Sequence, residues 1–281
     1  MKLKDKVVAV TGGGRGIGRA IALAHAAEGA KVAVLARTET DLEETVGLIE
    51  DAGGAGLAVP ADLVDYGQVE SAFATIVREL GPVDVLINNA GTYVAIGPVW
   101  EVDPDEWWND VEVNVRPVYN CCRVVLPGMI ARNGGRIINL IGGGTAAAFA
   151  FGSGYAVGKS GAMRLTECLA QEVGEADIAV LAMAPGLVRT AMTDYQMTSE
   201  AGKKYLQGVI TRLQDGDELP PERAADLAVA ISAGRFDRLT GRALTAWDNL
   251  DRVEAAIDDF LANDNRALRV TGLTAAHKPI E

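Results

Sequence analysis

Short apolar, β-branched runs alternate along this chain with longer stretches whose apolar residues recur at helical spacing. Strands are predicted at Lys6–Thr11, Lys31–Ala36, Gly56–Pro60, Val83–Asn88, Gly135–Ile141, Ile178–Ala184 and Arg242–Trp247. Helical periodicity covers Gly16–Glu28, the acidic Glu39–Asp51, Val69–Leu80, Pro104 to about Arg132, Gly154–Val173 and a stretch after Pro221. Asp103-Pro104-Asp105-Glu106 has the residues of a helix start, with an acidic cap, proline at the first position and a glutamate three residues after the cap. Pro117 is expected to bend that helix. Near-continuous apolar strands joined by helices mean a parallel sheet covered on both faces, hence one doubly wound α/β domain over residues 1–248.

Two stretches break the alternation. Residues 190–219 are polar and irregular, as expected of a mobile lid. Residues 249–281 form a C-terminal extension, with one helix expected at Val253–Leu261 and an irregular tail from Asn263. That extension fits an ordinary tail, a strap across the active site or a subunit contact.

Composition narrows the function. The 281 residues suit one large domain, and 49% hydrophobic residues with 32 glycines suit a globular protein rich in turns. A net charge of −12, with no stretch both basic and aromatic, argues against nucleic-acid binding. Cys121, Cys122 and Cys168 have neither disulfide nor metal-ligand spacing. With His25 and His277 the only histidines, a zinc site and a histidine-based triad are not expected. No apolar run reaches membrane-span length, and the apolar start of MKLKDKVVAV breaks at once into TGGGRGIG, so a cytoplasmic protein is expected.

The candidate chemistry begins with Tyr155 and Lys159, four residues apart and so on one helix face. A lysine cation beside a phenol favours the phenolate, so a depressed Tyr155 pKa is expected, suited to proton exchange with a carbonyl or alcohol oxygen. Near the N-terminus, Thr11-Gly12-Gly13-Gly14-Arg15-Gly16-Ile17-Gly18 lies between the first strand and the first helix. Such a turn lets backbone N–H groups approach a pyrophosphate at the helix N-terminus. Where the second strand ends, an acidic residue would bond the ribose of NAD(H); here stand Ala36 and then Arg37. Arg37 and Arg15 therefore favour NADP(H) over NAD(H), through charge-assisted contacts to a 2′-phosphate.

The glycine turn, Asn88-Asn89-Ala90-Gly91, Tyr155-x-x-x-Lys159 and Pro185-Gly186, in this order and at these separations, resemble the short-chain dehydrogenase/reductase family over about residues 4–248. The resemblance implies a Rossmann-type fold with a seven-stranded parallel sheet, and a homodimer or homotetramer formed through the helices that begin near Pro104 and Gly154. By that resemblance Gly12, Gly16, Ile17 and Gly18 cradle the pyrophosphate and Asp62 contacts adenine. Asn88, Ala90 and Gly91 border the adenosine ribose, while Pro185, Gly186, Val188 and Thr190 hold the nicotinamide end, Thr190 on its carboxamide. Lys159 also holds the nicotinamide ribose, and Asn114 positions a proton-relay water.

One position departs from the family pattern. The serine expected thirteen residues before the tyrosine is Gly142. Losing one such hydrogen-bond donor costs about 10²–10³ in rate. Thr145, the more distant Ser153, or the backbone of Gly143 and Gly144 are the candidate replacements, with Thr145 preferred. The leading expectation is an oxidoreductase interconverting a ketone and a secondary alcohol. Its rivals are a non-catalytic NADP(H)-binding protein that lost the chemistry with the serine, and a dehydratase, epimerase or decarboxylase on the same fold. Thr92, Tyr93, Val94, Phe149, Phe151, Met192 and Tyr195 are expected around the substrate, which favours an apolar carbonyl or alcohol. Trp247 and Asp248 are within reach of the active site on this reading.

Overall fold

Successive residues of a strand point to opposite faces of its sheet, so a strand apolar at every position needs a packed layer on each side. The computed structural model describes residues 1–269 and has this arrangement. β1 (Val7–Thr11), β2 (Lys31–Ala36), β3 (Ala55–Pro60), β4 (Val85–Asn88), β5 (Gly135–Leu140), β6 (Ile178–Ala184) and β7 (Ala243–Thr245) form one sheet in the order β3-β2-β1-β4-β5-β6-β7. Every neighbouring pair is parallel. Val8 and Val10 of β1 join a core with α1 (Gly16–Ala27), α2 (Glu39–Asp51) and α9 (Pro221–Ser232). Val7 and Ala9 face the other core, with α3 (Tyr66–Glu79), α4 (Pro104–Ala131) and α5 (Ser153–Glu172). Each buried valine contributes roughly 1.5–3 kcal/mol of transfer free energy.

The helix starts follow local chemistry. Asp103 caps α4 by accepting from the Asp105 and Glu106 N–H groups, with Pro104 at the first position. Asp65 caps α3 through the Gln68 N–H, so that helix begins at Tyr66, three residues before the apolar period alone indicates. Pro117 and Pro127 both lie inside α4, which is a single helix despite the missing N–H donors. Its buried stripe of Val118, Cys121, Cys122, Val125 and Met129 supplies the tertiary packing that holds it.

Residues 190–219 are not irregular. They contain α6 (Ala191–Thr198), α7 (Glu200–Tyr205) and α8 (Gln207–Gln214). These helices are too short for a period to show in the sequence. What starts them is capping: a reciprocal Thr190–Thr193 box on α6 and the Ser199 hydroxyl on α7. The single helix expected at Val253–Leu261 is two, α10 (Leu250–Ala255) and α11 (Ile257–Ala262), broken at Ala256.

The extension does not strap the active site in its described part. The Ala243 N–H donates to the Arg266 carbonyl (2.9 Å), covering the outer edge of β7. Arg266 pairs with Asp248 (2.7 Å), and the Leu268 N–H donates to Glu167 on α5 (3.0 Å). The remainder of the tail lies outside the described residues. Among the described residues no helix is long and apolar enough to cross a membrane, and no cluster of three or more His, Cys, Asp or Glu side chains could hold a metal ion.

Candidate active site

The strand order reverses between β1 and β4, which opens a crevice at their carboxyl ends. Two sequence motifs meet there. The Thr11 hydroxyl accepts from the Asn89 and Ala90 N–H groups (2.9 and 3.1 Å), and Asn89 Nδ2 donates to the carbonyls of Thr11 and Gly12 (2.9 and 3.1 Å). Asn88 is buried below them, its Nδ2 donating to Asn139 Oδ1 (2.8 Å). Gly12 has φ +62°, where a side chain would be strained, and a β-carbon there would stand 2.8 Å from Asn89 Nδ2. Arg19 ties the turn from behind, its Nε donating to the Gly14 carbonyl (2.9 Å) and its guanidinium pairing with Glu44.

The N-terminus of α1, from Gly16 through Ile17 and Gly18, has no capping side chain and no acidic residue in its first turn. Its N–H groups thus face a crevice with no protein anion upon them. Arg15 and Arg37 are both exposed, and neither has a carboxylate partner among the described residues. Asp41 of α2 packs its β-carbon against Gly14. Asp62 is half-buried and accepts from the Val64 N–H (3.0 Å).

On the other side, Pro185 and Gly186 leave β6, and Val188 is buried. The indole nitrogen of Trp247 lies 3.1 Å from where a Gly186 β-carbon would stand, so Trp247 does reach this crevice. Asp248 does not serve it; the carboxylate is held by Arg266 and the Thr245 N–H. The Thr190 methyl group stands beside Gly16, while its hydroxyl accepts from the Thr193 N–H (3.4 Å). Thr190, expected at the nicotinamide carboxamide, borders the glycine turn, and its hydroxyl caps α6.

Glycines bring α4 and α5 together. A β-carbon on Gly158 would stand 2.6 Å from Asn114 Cβ, so only glycine allows Asn114 to sit beside the Tyr155–Lys159 helix. Asn114 is fully buried, and its Nδ2 donates to the carbonyls of Thr92 and Asp110 (both 2.7 Å). Its Oδ1 is buried without a hydrogen-bond partner. Asn114 Oδ1 and Lys159 Nζ stand 2.6 and 3.2 Å from the position a Gly91 β-carbon would take. An unpaired acceptor and a buried ammonium therefore face the same space.

The electrostatics correct one expectation. Lys159 Nζ donates to the Leu140 carbonyl (3.1 Å) and lies 5.8 Å from the centre of the Tyr155 ring, over its face. Burial pushes the Lys159 pKa down to about 8. Tyr155 is not depressed: burial first, and then the Asp110 carboxylate, push it up to about 12. Desolvation outweighs the lysine because the ammonium is itself buried and engaged elsewhere. Tyr155 is consequently a protonated phenol at neutral pH.

Gly142 is part of the same geometry. A β-carbon there would overlap the Tyr155 hydroxyl and stand 3.1 Å from its Cζ, so the phenol occupies the space a serine would claim. The hydroxyls considered as replacements have other hydrogen-bond partners. Thr145 Oγ1 accepts from the Gly142 N–H (3.5 Å) within its own turn, and Ser153 Oγ accepts from Trp107 Nε1 (2.9 Å). Among the described residues neither is hydrogen-bonded to the phenol.

Tyr155 is covered by an apolar cluster. The buried Tyr93 ring stacks on it (5.0 Å between centres, 27° between planes), with Phe149 edge-on (6.4 Å, 65°). Met192, Leu206 and Val209 of the α6–α8 segment complete the cluster. Burial raises the Tyr93 phenol further still, and its hydroxyl donates to the Phe151 carbonyl (3.1 Å). The fully buried Asp110 accepts from the Val94 and Ala95 N–H groups (3.0 and 2.9 Å) and so fixes the loop carrying Tyr93.

The family model described as short chain dehydrogenase matches residues 6–201. The chain belongs to this family. A 3-oxoacyl-acyl-carrier-protein reductase, FabG of Vibrio harveyi, is 30% identical over 87% of this chain and 96% of its own length. The short chain dehydrogenase citE of Monascus ruber is 32% identical over 96% of this chain and 90% of its own. Among solved structures, an actinorhodin polyketide ketoreductase variant with NADPH superposes with a TM-score of 0.77, at 28% identity over 87% of this chain and 96% of that one.

As a short-chain dehydrogenase the protein is an oxidoreductase, and the family uses NAD(P) cofactors. Three groups at the site were not picked out by the sequence. Asp110 carried a usable signal, since it precedes Asn114 by four residues on the same helix face. Thr11 and Asn89 had only their places within the motifs, and nothing local showed that they clamp one another.

Proposed function

We propose that this short-chain dehydrogenase interconverts a ketone and a secondary alcohol, with NADP(H) preferred over NAD(H). The residues fit such a cofactor. The uncapped N-terminus of α1 and the Gly12 turn suit its pyrophosphate, and Arg15 and Arg37 suit the 2′-phosphate. Lys159, Asn114 and the crevice below Gly186 suit its nicotinamide end. When bound, the nicotinamide supplies the hydride to the substrate carbon or takes it away.

The chain's own part is the proton on oxygen. Tyr155 is the acid: with its pKa raised to about 12 it keeps its proton until negative charge develops on a carbonyl oxygen. Lys159, charged below about pH 8, favours the resulting phenolate. Asn114 Oδ1 can hold a water beside Lys159 through which the phenol regains its proton. The Tyr93–Phe149–Met192 cluster excludes bulk water and favours an apolar, flat substrate. The observation that carries this reading is the Tyr155–Lys159–Asn114 arrangement at the switch point, complete apart from Gly142.

Trp108, Tyr119 and Val157 are exposed apolar residues on α4 and α5, which supports a homodimer or homotetramer through these helices. The test of function is NADPH- and NADH-linked reduction of cyclic, aryl and diketone substrates, with Tyr155→Phe as the blank. Turnover that requires Tyr155 is the expected result. Tight NADPH binding without Tyr155-dependent turnover of any carbonyl would refute the reading and favour a binding protein.

A further inference from the structure

Phe151 is one of only five non-glycine residues with positive φ among the described residues, at +65°, two positions before α5 begins. A bulky residue in that region costs on the order of 1 kcal/mol and persists only where its surroundings hold it. Three contacts from two separate elements hold this one. Its carbonyl accepts both the Gly97 N–H (2.9 Å) and the Tyr93 hydroxyl (3.1 Å), so the loop after β4 is fastened to it. Its ring stacks on Tyr205 at the end of α7 (4.9 Å between centres, 29° between planes). Tyr205 in turn donates its hydroxyl to Glu101 Oε2 (2.8 Å), 104 residues earlier.

Tyr93, the group anchored on the Phe151 carbonyl, is the ring stacked on Tyr155. A continuous line of contacts thus runs from α7 through Tyr205, Phe151 and Tyr93 to the Tyr155 phenol. Met192, Leu206 and Val209 of the α6–α8 segment share one apolar cluster with the half-buried Tyr155, so a shift of that segment changes access to the phenol. We infer that Phe151 is a positioning residue, coupling the seating of α7 to the placement of the Tyr155 phenol. This rests on the carbonyl-reduction reading for its consequence in turnover, though not for the coupling itself.

The strained backbone is the physical reason to assign the coupling to Phe151. While Tyr205 is stacked, the ring contact offsets the positive φ and the carbonyl stays aimed at Tyr93. When α7 lifts, the strain is no longer offset, the carbonyl is free to turn, and Tyr93 loses its anchor. Phe151→Ala removes the stack that offsets the positive φ, and Tyr205→Ala removes it from the other side. Tyr205→Phe keeps the stack and deletes only the bond to Glu101.

Two readouts test this on the full chain with NADPH present. The first is trypsin cleavage at Lys203 and Lys204 in α7, which follows the seating of that helix. The second is the Tyr155 phenolate titration, taken as the absorbance difference from Tyr155→Phe. The titratable and charged groups facing Tyr155 are Lys159, Asp110 and Tyr93, and none of these variants changes them.

Phe151→Ala and Tyr205→Ala are expected to speed cleavage about three- to tenfold, the worth of an aromatic pair. Both should also lower the Tyr155 titration midpoint and reduce kcat more than they raise KM. Tyr205→Phe should speed cleavage while leaving the titration in place. Faster cleavage in both alanine variants with an unmoved titration would overturn the coupling, leaving the stack as a seal. Unchanged cleavage would overturn it as well. If the wild type reduces no ketone, the carbonyl reading fails, and the titration still decides the coupling.

Discussion

Replacing Gly142 tests the arrangement of the catalytic phenol directly. A β-carbon at that position would overlap the Tyr155 hydroxyl and lie 3.1 and 3.4 Å from Cζ and Cε1 of the ring. Ordinary carbon contacts need about 3.5–4.0 Å, so the hydroxyl must retreat by roughly 1 Å. A displacement of that size at a reacting group costs on the order of 10²-fold in rate. Gly142→Ala should therefore lower kcat about 10²-fold while NADPH affinity stays within about twofold. Gly142→Ser displaces the phenol equally but returns a donor worth about 10²–10³, so it should exceed the alanine variant by that factor and approach or surpass the wild type. The pair is assayed by NADPH oxidation with the best ketone of the panel, and by fluorescence titration of NADPH without substrate. An alanine variant with wild-type kcat would refute the reasoning, because the phenol could not then work from its seat over Gly142. A serine variant no better than alanine would show that the missing hydroxyl is not what limits the wild type.

Further outcomes follow from the same geometry. Lys159→Met should abolish turnover yet stabilise the fold at pH 7 by about 2–3 kcal/mol in urea unfolding, because a charged form that burial disfavours is removed. The sign is set by its lowered pKa: the unfolded chain binds the extra proton between about pH 8 and pH 10.5, so wild-type stability rises with pH across that window and the variant lacks the rise. His25 is buried, bonded to the Ile21 carbonyl and the Ser232 hydroxyl, and pushed down to about 4 by burial. Stability should therefore fall as pH drops from about 6.5 to about 4, by about 3 kcal/mol from this group alone; urea unfolding at several pH values checks it, and a His25→Gln variant should lack that slope. Arg37→Ala and Arg15→Ala should each weaken NADPH binding about tenfold with little effect on NADH; equal losses for both nucleotides would sink the 2′-phosphate assignment.

Much of the fold was legible because its signals are local. The strand at Ile178–Ala184 and the helix at Glu39–Asp51 have the predicted bounds, and Asp103 caps α4 as its sequence indicates. The motifs likewise fall at one crevice, with Tyr155, Lys159 and Asn114 brought together through Gly158. What the sequence did not show are contacts that carry no periodic signal, whether the partner is near or far along the chain. Thr145 read as a replacement hydroxyl, but it accepts from the Gly142 N–H three residues before it and makes no hydrogen bond to the phenol. Residues 190–219 read as irregular because their helices are one or two turns long, and such helices are held by caps and by burial of residues such as Leu206 and Leu213.

By itself the sequence determined a doubly wound parallel sheet, a glycine turn at its first crossover and a tyrosine–lysine pair on one helix face. Backbone sterics, the two side-chain periods and capping are properties of neighbouring residues, and they do not depend on what packs nearby. Only the tertiary structure decided the state of the phenol. The Tyr155 proton is held by burial under Tyr93 and by the charge of Asp110, and its hydroxyl lies over Gly142. These neighbours come from β4, α4 and β5 connections far along the chain, and desolvation depends on all of them at once.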